Sequence, residues 1–298
     1  MKNCLRGVYI PAVTPFNDRE ELDCQKLKRN IKKWNYTNIG GYMCLGSNGE
    51  FKMLDEEESI SVIRTFAENR ASDKGLIAGV GRESLYHTLY FIERLQKEQV
   101  ELDYISVLTP HYFRKMMNDE TLVEYFSKIA DFSPYPVLLY CAPGFANDVC
   151  ISADAVRKLA LHPNIVGIKD TSSNMMGAYM DAVGGRSDFS VMAGSINNLH
   201  ECLKKGGEGG VLSAANYFPN ECAALFDKWN EQGEEAYLEY EKKLQEQIKK
   251  TGGKKGISSI KYCMSLLGYE GGRPRSPLPL LNFEEKEEIQ RALQIDER

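Results

Sequence analysis

Lys169 closes the run Asn164-Ile165-Val166-Gly167-Ile168, which otherwise reads as a strand buried on both faces. An ammonium held in apolar surroundings loses solvation, so its pKa falls toward neutrality and a fraction stands as free amine. A free amine attacks carbonyls, and the protonated imine it forms is an electron sink for breaking or making a neighbouring carbon-carbon bond. The same lysine could instead snorkel to solvent or pair with Asp170. Tyr140 is open in the same way: a core tyrosine whose hydroxyl finds an acceptor, or a group that passes protons to and from a substrate oxygen. In Gly46-Ser47-Asn48-Gly49-Glu50, Ser47 and Asn48 offer hydroxyl, amide and backbone N–H donors on a glycine-flanked turn, a neutral cradle suited to a small carboxylate. Ser, Asn and Gly are also the ordinary residues of a strand-to-helix turn.

Other chemistries find little support. The four histidines, His87, His111, His162 and His200, show no HxxxH or HxH spacing, so no metal site is expected. The eight cysteines are scattered without a CxxC pair, as expected of reduced thiols in a cytosolic enzyme. Gly79-Val80-Gly81 with Ser84 lacks the third glycine of a dinucleotide fingerprint, and Gly252 to Gly256 with Lys254 and Lys255 is not a phosphate-binding loop. Both read as loops, and no cofactor is expected. The acidic cluster Asp55 to Glu58 reads as a solvated helix start with a capping box.

The elements that must position these residues recur regularly. The 298 residues are 43% apolar, enough for one large core or two ordinary ones. Net charge is -5 with both signs mixed along the chain, which offers no basic stripe for a nucleic acid. No apolar run approaches the roughly 18 residues of a membrane span, and Met1 to Arg6 leads into a strand and not a signal-peptide core, so a soluble cytoplasmic protein is expected.

Eight β-rich runs alternate with amphipathic stretches: Gly7 to Val13, Ile39 to Leu45, Leu76 to Val80, Tyr104 to Leu108, Val137 to Tyr140, Ile165 to Lys169, Phe189 to Ala193 and Gly210 to Ala214. Helical periodicity is clearest in Leu122, Tyr125, Phe126 and Ile129, and in Leu85, Leu89, Ile92 and Leu95. Eight βα units predict an α/β fold, a (β/α)8 TIM barrel over residues 1–218, in preference to an open doubly wound sheet. Helices alone follow, Pro219 to Glu231, Glu234 to Lys250, Gly256 to Leu267 and Glu284 to Leu293, broken at Thr251-Gly252-Gly253 and at Arg273 to Pro279. Residues 219–298 are therefore expected to form a C-terminal helical extension packed on the barrel. In such a barrel the active site lies at the C-terminal ends of the strands. There the sequence places Ser47 and Asn48, Thr109 to Tyr112, Tyr140, Lys169 to Thr171, Gly194 with Ser195, and Ser213.

Gly46-Ser47-Asn48-Gly49-Glu50, Tyr140-x-x-Pro143 and Gly167-Ile168-Lys169-Asp170, in this order and spacing, resemble the pyruvate-dependent class I aldolases and synthases that include dihydrodipicolinate synthase and N-acetylneuraminate lyase. The resemblance covers nearly the whole chain. It implies that Lys169 forms an imine with the C2 carbonyl of pyruvate or another small 2-oxo acid and that Tyr140 is the general acid/base. It implies that Ser47 and Asn48, with nearby backbone N–H groups, hold the carboxylate, and that Thr171 and Gly194 line the pocket. Tyr112 would complete a proton relay from a neighbouring subunit, so a homo-oligomer, dimer or homotetramer, is expected.

Departures bear on the branch. Where dihydrodipicolinate synthases usually carry an arginine two residues after the proline, this chain has Phe145; most members have Thr in place of Asn48; and no acidic residues follow Gly194, as they do in the sialic-acid lyases. Gly46 to Phe51, His162 to Asp170 and Gly268 to Gly272 look most like the 4-hydroxy-2-oxoglutarate aldolase branch, which cleaves a 4-hydroxy-2-oxo acid to pyruvate and an aldehyde. Arg114 is then a partner for a distal carboxylate, though a loop arginine is often simply solvated. Two competing readings stand beside this one: dihydrodipicolinate synthesis with an atypical aldehyde site, and a non-catalytic 2-oxo-acid binding protein.

Overall fold

The computed structural model describes residues 5–294. Eight parallel strands follow one another around a closed barrel. They are β1 (Gly7–Pro11), β2 (Gly41–Cys44), β3 (Gly75–Gly79), β4 (Tyr104–Leu108), β5 (Val137–Cys141), β6 (Ile165–Asp170), β7 (Ser190–Ala193) and β8 (Gly209–Val211). Helices α1 (Cys24–Trp34), α2 (Glu56–Asn69), α3 (Leu85–Lys97), α4 (Asp119–Phe132), α5 (Ala153–Leu159), α6 (Met176–Val183) and α7 (Ile196–Lys204) alternate with them. Four more close the chain: α8 (Pro219–Gln232), α9 (Glu234–Lys250), α10 (Ile257–Leu266) and α11 (Phe283–Ala292). The barrel with C-terminal helices is thus the fold the sequence predicts. Every residue of β2, β4, β5, β6, β7 and β8 is buried, as expected of parallel strands covered on both faces.

Two expectations shift. The eighth strand ends at Val211, and Ser213–Asn216 turn into a 3-10 helix. Asn216 causes the early stop: its Oδ1 accepts from the Val13 amide at 3.0 Å, and its Nδ2 donates to the Pro11 and Ser213 carbonyls at 2.9 and 3.0 Å. One side chain replaces the next rungs of the ladder. In α3 the buried face is Thr88, Phe91, Ile92 and Leu95, while Leu85 and Leu89 are half-buried. Thr88 turns inward because its hydroxyl caps the Arg82 amide and meets the Tyr125 hydroxyl, both at 3.0 Å.

The chain divides into two compact units. One holds residues up to Gly7 and Gly75–Val211, that is, β3 to β8 with α3 to α7. Its core includes the strand residues Ile105, Leu139 and Ile168, which the register puts on one face of the strands, and the helix residues Phe91, Phe126 and Ile129, all fully buried. The other holds Val8–Lys74 and the chain from Leu212 onward, with most of β1, β2, α1, α2 and the last four helices. Its centre is Trp34, fully buried, with ring centroids 6.2 Å from Tyr42 and 5.8 Å from Tyr269, and with its indole N–H donating to the Asn216 carbonyl at 3.2 Å. Asp55 caps α2 through a reciprocal capping box with Glu58, as predicted, but Glu58 is not a merely solvated charge: both its oxygens also receive the Arg275 guanidinium, at 2.6 and 2.8 Å.

Candidate active site

In the first unit, β5 and β6 run in register with Tyr140 opposite Lys169 and Cys141 opposite Asp170. Parallel neighbours in register project to the same face, so two side chains far apart in sequence become adjacent. Lys169 is 3% exposed and Tyr140 also 3%, and the lysine Nζ lies 4.1 Å from the centroid of the tyrosine ring. An amine and the ring of a tyrosine are therefore held side by side at the ends of two strands. Asp170 points away into its own set of donors, accepting from the Ser172 amide at 2.8 Å and the Ser172 hydroxyl at 2.9 Å, and burial raises its pKa. Asp170 is thereby committed to the start of the following loop.

Thr171 and Gly194 fix the spacing of the next strand ends. The Thr171 amide and hydroxyl both donate to the Cys141 carbonyl, at 2.9 and 3.1 Å, and the Gly194 amide donates to the Asp170 carbonyl at 2.6 Å. A Cβ on Gly194 would collide with the Thr171 methyl and come within 2.8 Å of that carbonyl oxygen, so only glycine fits this close approach.

Tyr112 and Arg114 lie on the segment after β4. Glu83 accepts from the His111 and Tyr112 amides at 2.9 and 3.0 Å and faces the His111 Nδ1 at 3.1 Å, which pins the backbone. The Tyr112 ring is 76% exposed and packs edge-on against Phe113, their centroids 5.0 Å apart. Phe113, Met116 and Phe145 are exposed as well. Arg114 faces Asp148 at 3.6 Å, both largely exposed.

The second unit carries the turn after β2. Leu45 and Glu50 bracket it with φ of 54° and 55°, a left-handed conformation that costs a non-glycine residue roughly 1 kcal/mol or more and needs support from its surroundings. That support is visible. The Thr14 hydroxyl donates to the Gly49 carbonyl at 2.7 Å, Glu50 accepts from the Arg275 amide at 2.8 Å, and the Glu50 carboxylate meets the Lys261 Nζ at 2.6 Å with both side chains 1% exposed. Held this way, Ser47–Gly49 form one 3-10 turn, with Ser47 half-buried, Asn48 buried, and the Asn48 amide donating to the Ser213 hydroxyl at 2.8 Å. The expected cradle residues Ser47, Asn48 and Ser213 thus share one corner of the second unit.

Sequence reasoning overlooked Lys261. It lies in α10 among apolar residues, where a lone lysine looks like a solvated position, and its partner Glu50 is too remote in sequence to suggest a pair. Its Nζ also donates to the Thr14 and Arg273 carbonyls, at 2.7 and 2.8 Å. Among the described residues no group of three or more His, Cys, Asp or Glu is placed to hold a metal ion, and no helix is long and apolar enough to cross a membrane.

The first unit thus supplies the ends of a closed (β/α)8 barrel with a buried lysine and a tyrosine paired on neighbouring strands. Residues 4–296 match the model of the dihydrodipicolinate synthetase family, and the chain belongs to that family. The relatives it resembles include a protein of Emericella nidulans named "Probable 4-hydroxy-2-oxoglutarate aldolase, mitochondrial", 28% identical over 96% of this chain and 93% of that one. They also include the 4-hydroxy-tetrahydrodipicolinate synthase of Staphylococcus epidermidis, 27% identical over 99% of this chain and 98% of that one. Among solved structures, the dihydrodipicolinate synthase of Thermotoga maritima superposes with a TM-score of 0.90 over 98% of each chain at 23% identity, which establishes the shared fold. The protein is a carbon-carbon lyase of the aldolase class.

Proposed function

We propose that the protein is a Schiff-base lyase that cleaves a 4-hydroxy-2-oxo acid, such as 4-hydroxy-2-oxoglutarate, to pyruvate and an aldehyde. The observation that carries this reading is the buried Lys169 Nζ against the Tyr140 ring, in register across β5 and β6. The Lys169 amine adds to the C2 carbonyl, and loss of water leaves a protonated imine. Tyr140 receives the proton of the C4 hydroxyl; the C3–C4 bond breaks, its electron pair moves toward the imine nitrogen, and the aldehyde leaves. Protonation of the resulting enamine at C3 and hydrolysis of the imine release pyruvate and restore the amine. Ser47 and Asn48, with the amides of their turn and with Ser213, are assigned the substrate carboxylate, Thr171 and Gly194 the wall, and Arg114 a distal carboxylate. Glyoxylate is the aldehyde if that carboxylate is present. Tyr112 is assigned a proton relay in the site of a second copy of the chain, a role that suits a tyrosine exposed on an apolar surface.

Phe145, 63% exposed where an arginine would hold the second substrate of a dihydrodipicolinate synthase, argues against condensation with aspartate semialdehyde. The test is borohydride reduction in the presence of pyruvate, with mass analysis of the peptide containing Lys169. A reduced pyruvyl adduct on Lys169 is expected, together with pyruvate release from 4-hydroxy-2-oxoglutarate. Pyruvate binding with neither adduct nor exchange of its methyl protons would make the protein a 2-oxo-acid binder, and condensation with aspartate semialdehyde at the faster rate would make it a synthase.

A further inference from the structure

The residue that follows Tyr140 is Cys141, fully buried at the end of β5. Its Sγ lies 3.2 Å from the Sγ of Cys150, a half-buried thiol on the loop that leads to α5. Both thiols are free, and the Tyr179 hydroxyl of α6 sits between them, 3.2 Å from Cys141 and 3.5 Å from Cys150, while donating to the Ile151 carbonyl at 2.5 Å. Two sulfurs in contact, one of them reachable from solvent, form an arrangement that nothing in the aldolase chemistry uses. We propose that Cys141 and Cys150 form a reversible thiol-oxidation site, closed to a disulfide by hydrogen peroxide and reopened by a dithiol.

The geometry favours closure. A disulfide needs the sulfurs about 2 Å apart, so a contraction of about 1.2 Å suffices from 3.2 Å. The strand is hydrogen-bonded on both sides, whereas the segment to Cys150 is a loop in which Asn147 and Asp148 already take positive φ, so the loop absorbs the movement. Reactivity is divided unequally between the two thiols. The hydrogen bond from Cys141, aided by Tyr179 and opposed by burial and by the charge of Asp170, draws the Cys150 thiol down to about 7, while the same contact and burial push Cys141 up. Cys150 is therefore the thiolate that attacks and Cys141 the thiol that resolves.

The chemistry balances in two steps. The Cys150 thiolate attacks one peroxide oxygen; the O–O bond breaks, a sulfenic acid forms at Cys150, and hydroxide leaves to take up a proton. The Cys141 sulfur then attacks the sulfenic sulfur; the S–O bond breaks, the S–S bond forms, and the Cys141 thiol proton leaves with the departing oxygen as water. Two thiols lose two electrons and one peroxide becomes two waters. The consequence for turnover rests on the proposed role of Lys169 and Tyr140: Cys141 adjoins Tyr140, and its carbonyl holds both the amide and the hydroxyl of Thr171. Tethering its side chain to the loop shifts the wall beside the lysine.

The test uses the full chain treated with hydrogen peroxide and then digested without reductant. The expected product is a cross-linked pair of peptides containing Cys141 and Cys150, forming faster as pH rises through about 7 and reverting with dithiothreitol. In Cys150→Ser the cross-link is absent and Cys141 stays a thiol; in Cys141→Ser a dione reagent traps Cys150 as its sulfenic acid. Recovery of both as thiols while Cys24, the other partly exposed thiol among the described residues, is oxidised would overturn the proposal, as would passage of Cys150 directly to the sulfinic acid in the unmodified sequence. Peptide mapping decides this whether or not the lyase reading holds. Lyase activity should fall several-fold on oxidation, return with dithiothreitol, and be unaffected in Cys150→Ser; unchanged activity in the cross-linked protein would overturn the link to turnover.

Discussion

Of the three lysines buried among the described residues, Lys74, Lys169 and Lys261, the two most deeply buried lie one in each compact unit, and their surroundings differ. Lys261 is 1% exposed and has three oxygens around its ammonium: Glu50, the Thr14 carbonyl and the Arg273 carbonyl. Two hydrogen bonds and one ion pair make a mechanical clamp between α10 and the turn after β2. Lys169 is 3% exposed and lies at a strand end against the face of a tyrosine whose hydroxyl can exchange protons. Burial alone therefore does not single out a reactive lysine. What separates the two is the company: a carboxylate and two backbone carbonyls in one case, and in the other the ring of a tyrosine in register on the neighbouring strand.

The contrast breaks most visibly in activity. Lys169→Ala should lower pyruvate release by roughly a thousand-fold or more, because the covalent route is lost, while its unfolding free energy in urea moves by no more than about 2 kcal/mol, the upper range of a desolvated cation–π contact. Lys261→Met should do the reverse in stability: about 3 to 5 kcal/mol is lost because the Glu50 carboxylate remains buried without its partner. Adding Glu50→Gln to that variant should recover part of the loss, and a double-mutant cycle in urea measures the coupling. Strict additivity of the two changes would mean that the pair is no clamp.

A subtler difference appears with pH. Burial, opposed by Glu50, draws the Lys261 ammonium down from 10.5 to about 8. Below about 8 both folded and unfolded chains keep the proton; between about 8 and 10.5 only the unfolded chain does. The contribution of this group to stability therefore rises with pH across that window, by up to about 1.4 kcal/mol per unit. The difference in unfolding free energy between the unmodified protein and Lys261→Met should grow accordingly. A difference that shrinks would show that the pull of Glu50 exceeds the cost of burial. The smallest expected effect is at the cradle: Asn48→Ala should raise KM for the 2-oxo acid about 3- to 10-fold with kcat nearly unchanged, corresponding to one hydrogen bond of about 0.5 to 1.5 kcal/mol.

Much of this architecture is legible in the residues because it depends on local repetition. Continuous apolar runs such as Ile165 to Ile168 announce strands covered on both faces, and strand order alone makes β5 and β6 neighbours, which brings Tyr140 to Lys169. The helical tail was equally readable from its periodicity and its glycine and proline breaks. What escaped depends on single side chains reaching across long sequence distances. Asn216 ends β8 by bonding Pro11 and Val13, and Lys261 supports Glu50; neither leaves a periodic trace. The contact of Cys141 with Cys150 depends on the path of one loop, and cysteine spacing carries no sign of it. At α3, Thr88 displaced the expected Leu85 and Leu89 from the buried face because a polar residue satisfied by local hydrogen bonds can face inward.

The missing side chain at Gly194 sets a rule for anyone who would vary this enzyme by mutation. A library that randomises this position spends its diversity on chains whose seventh strand end cannot seat against Thr171 and Asp170, so nearly every clone would be lost before its selectivity could be read. Phe145, which projects into open space on its loop, has no such constraint. Directed evolution should begin at Phe145 and leave Gly194 fixed.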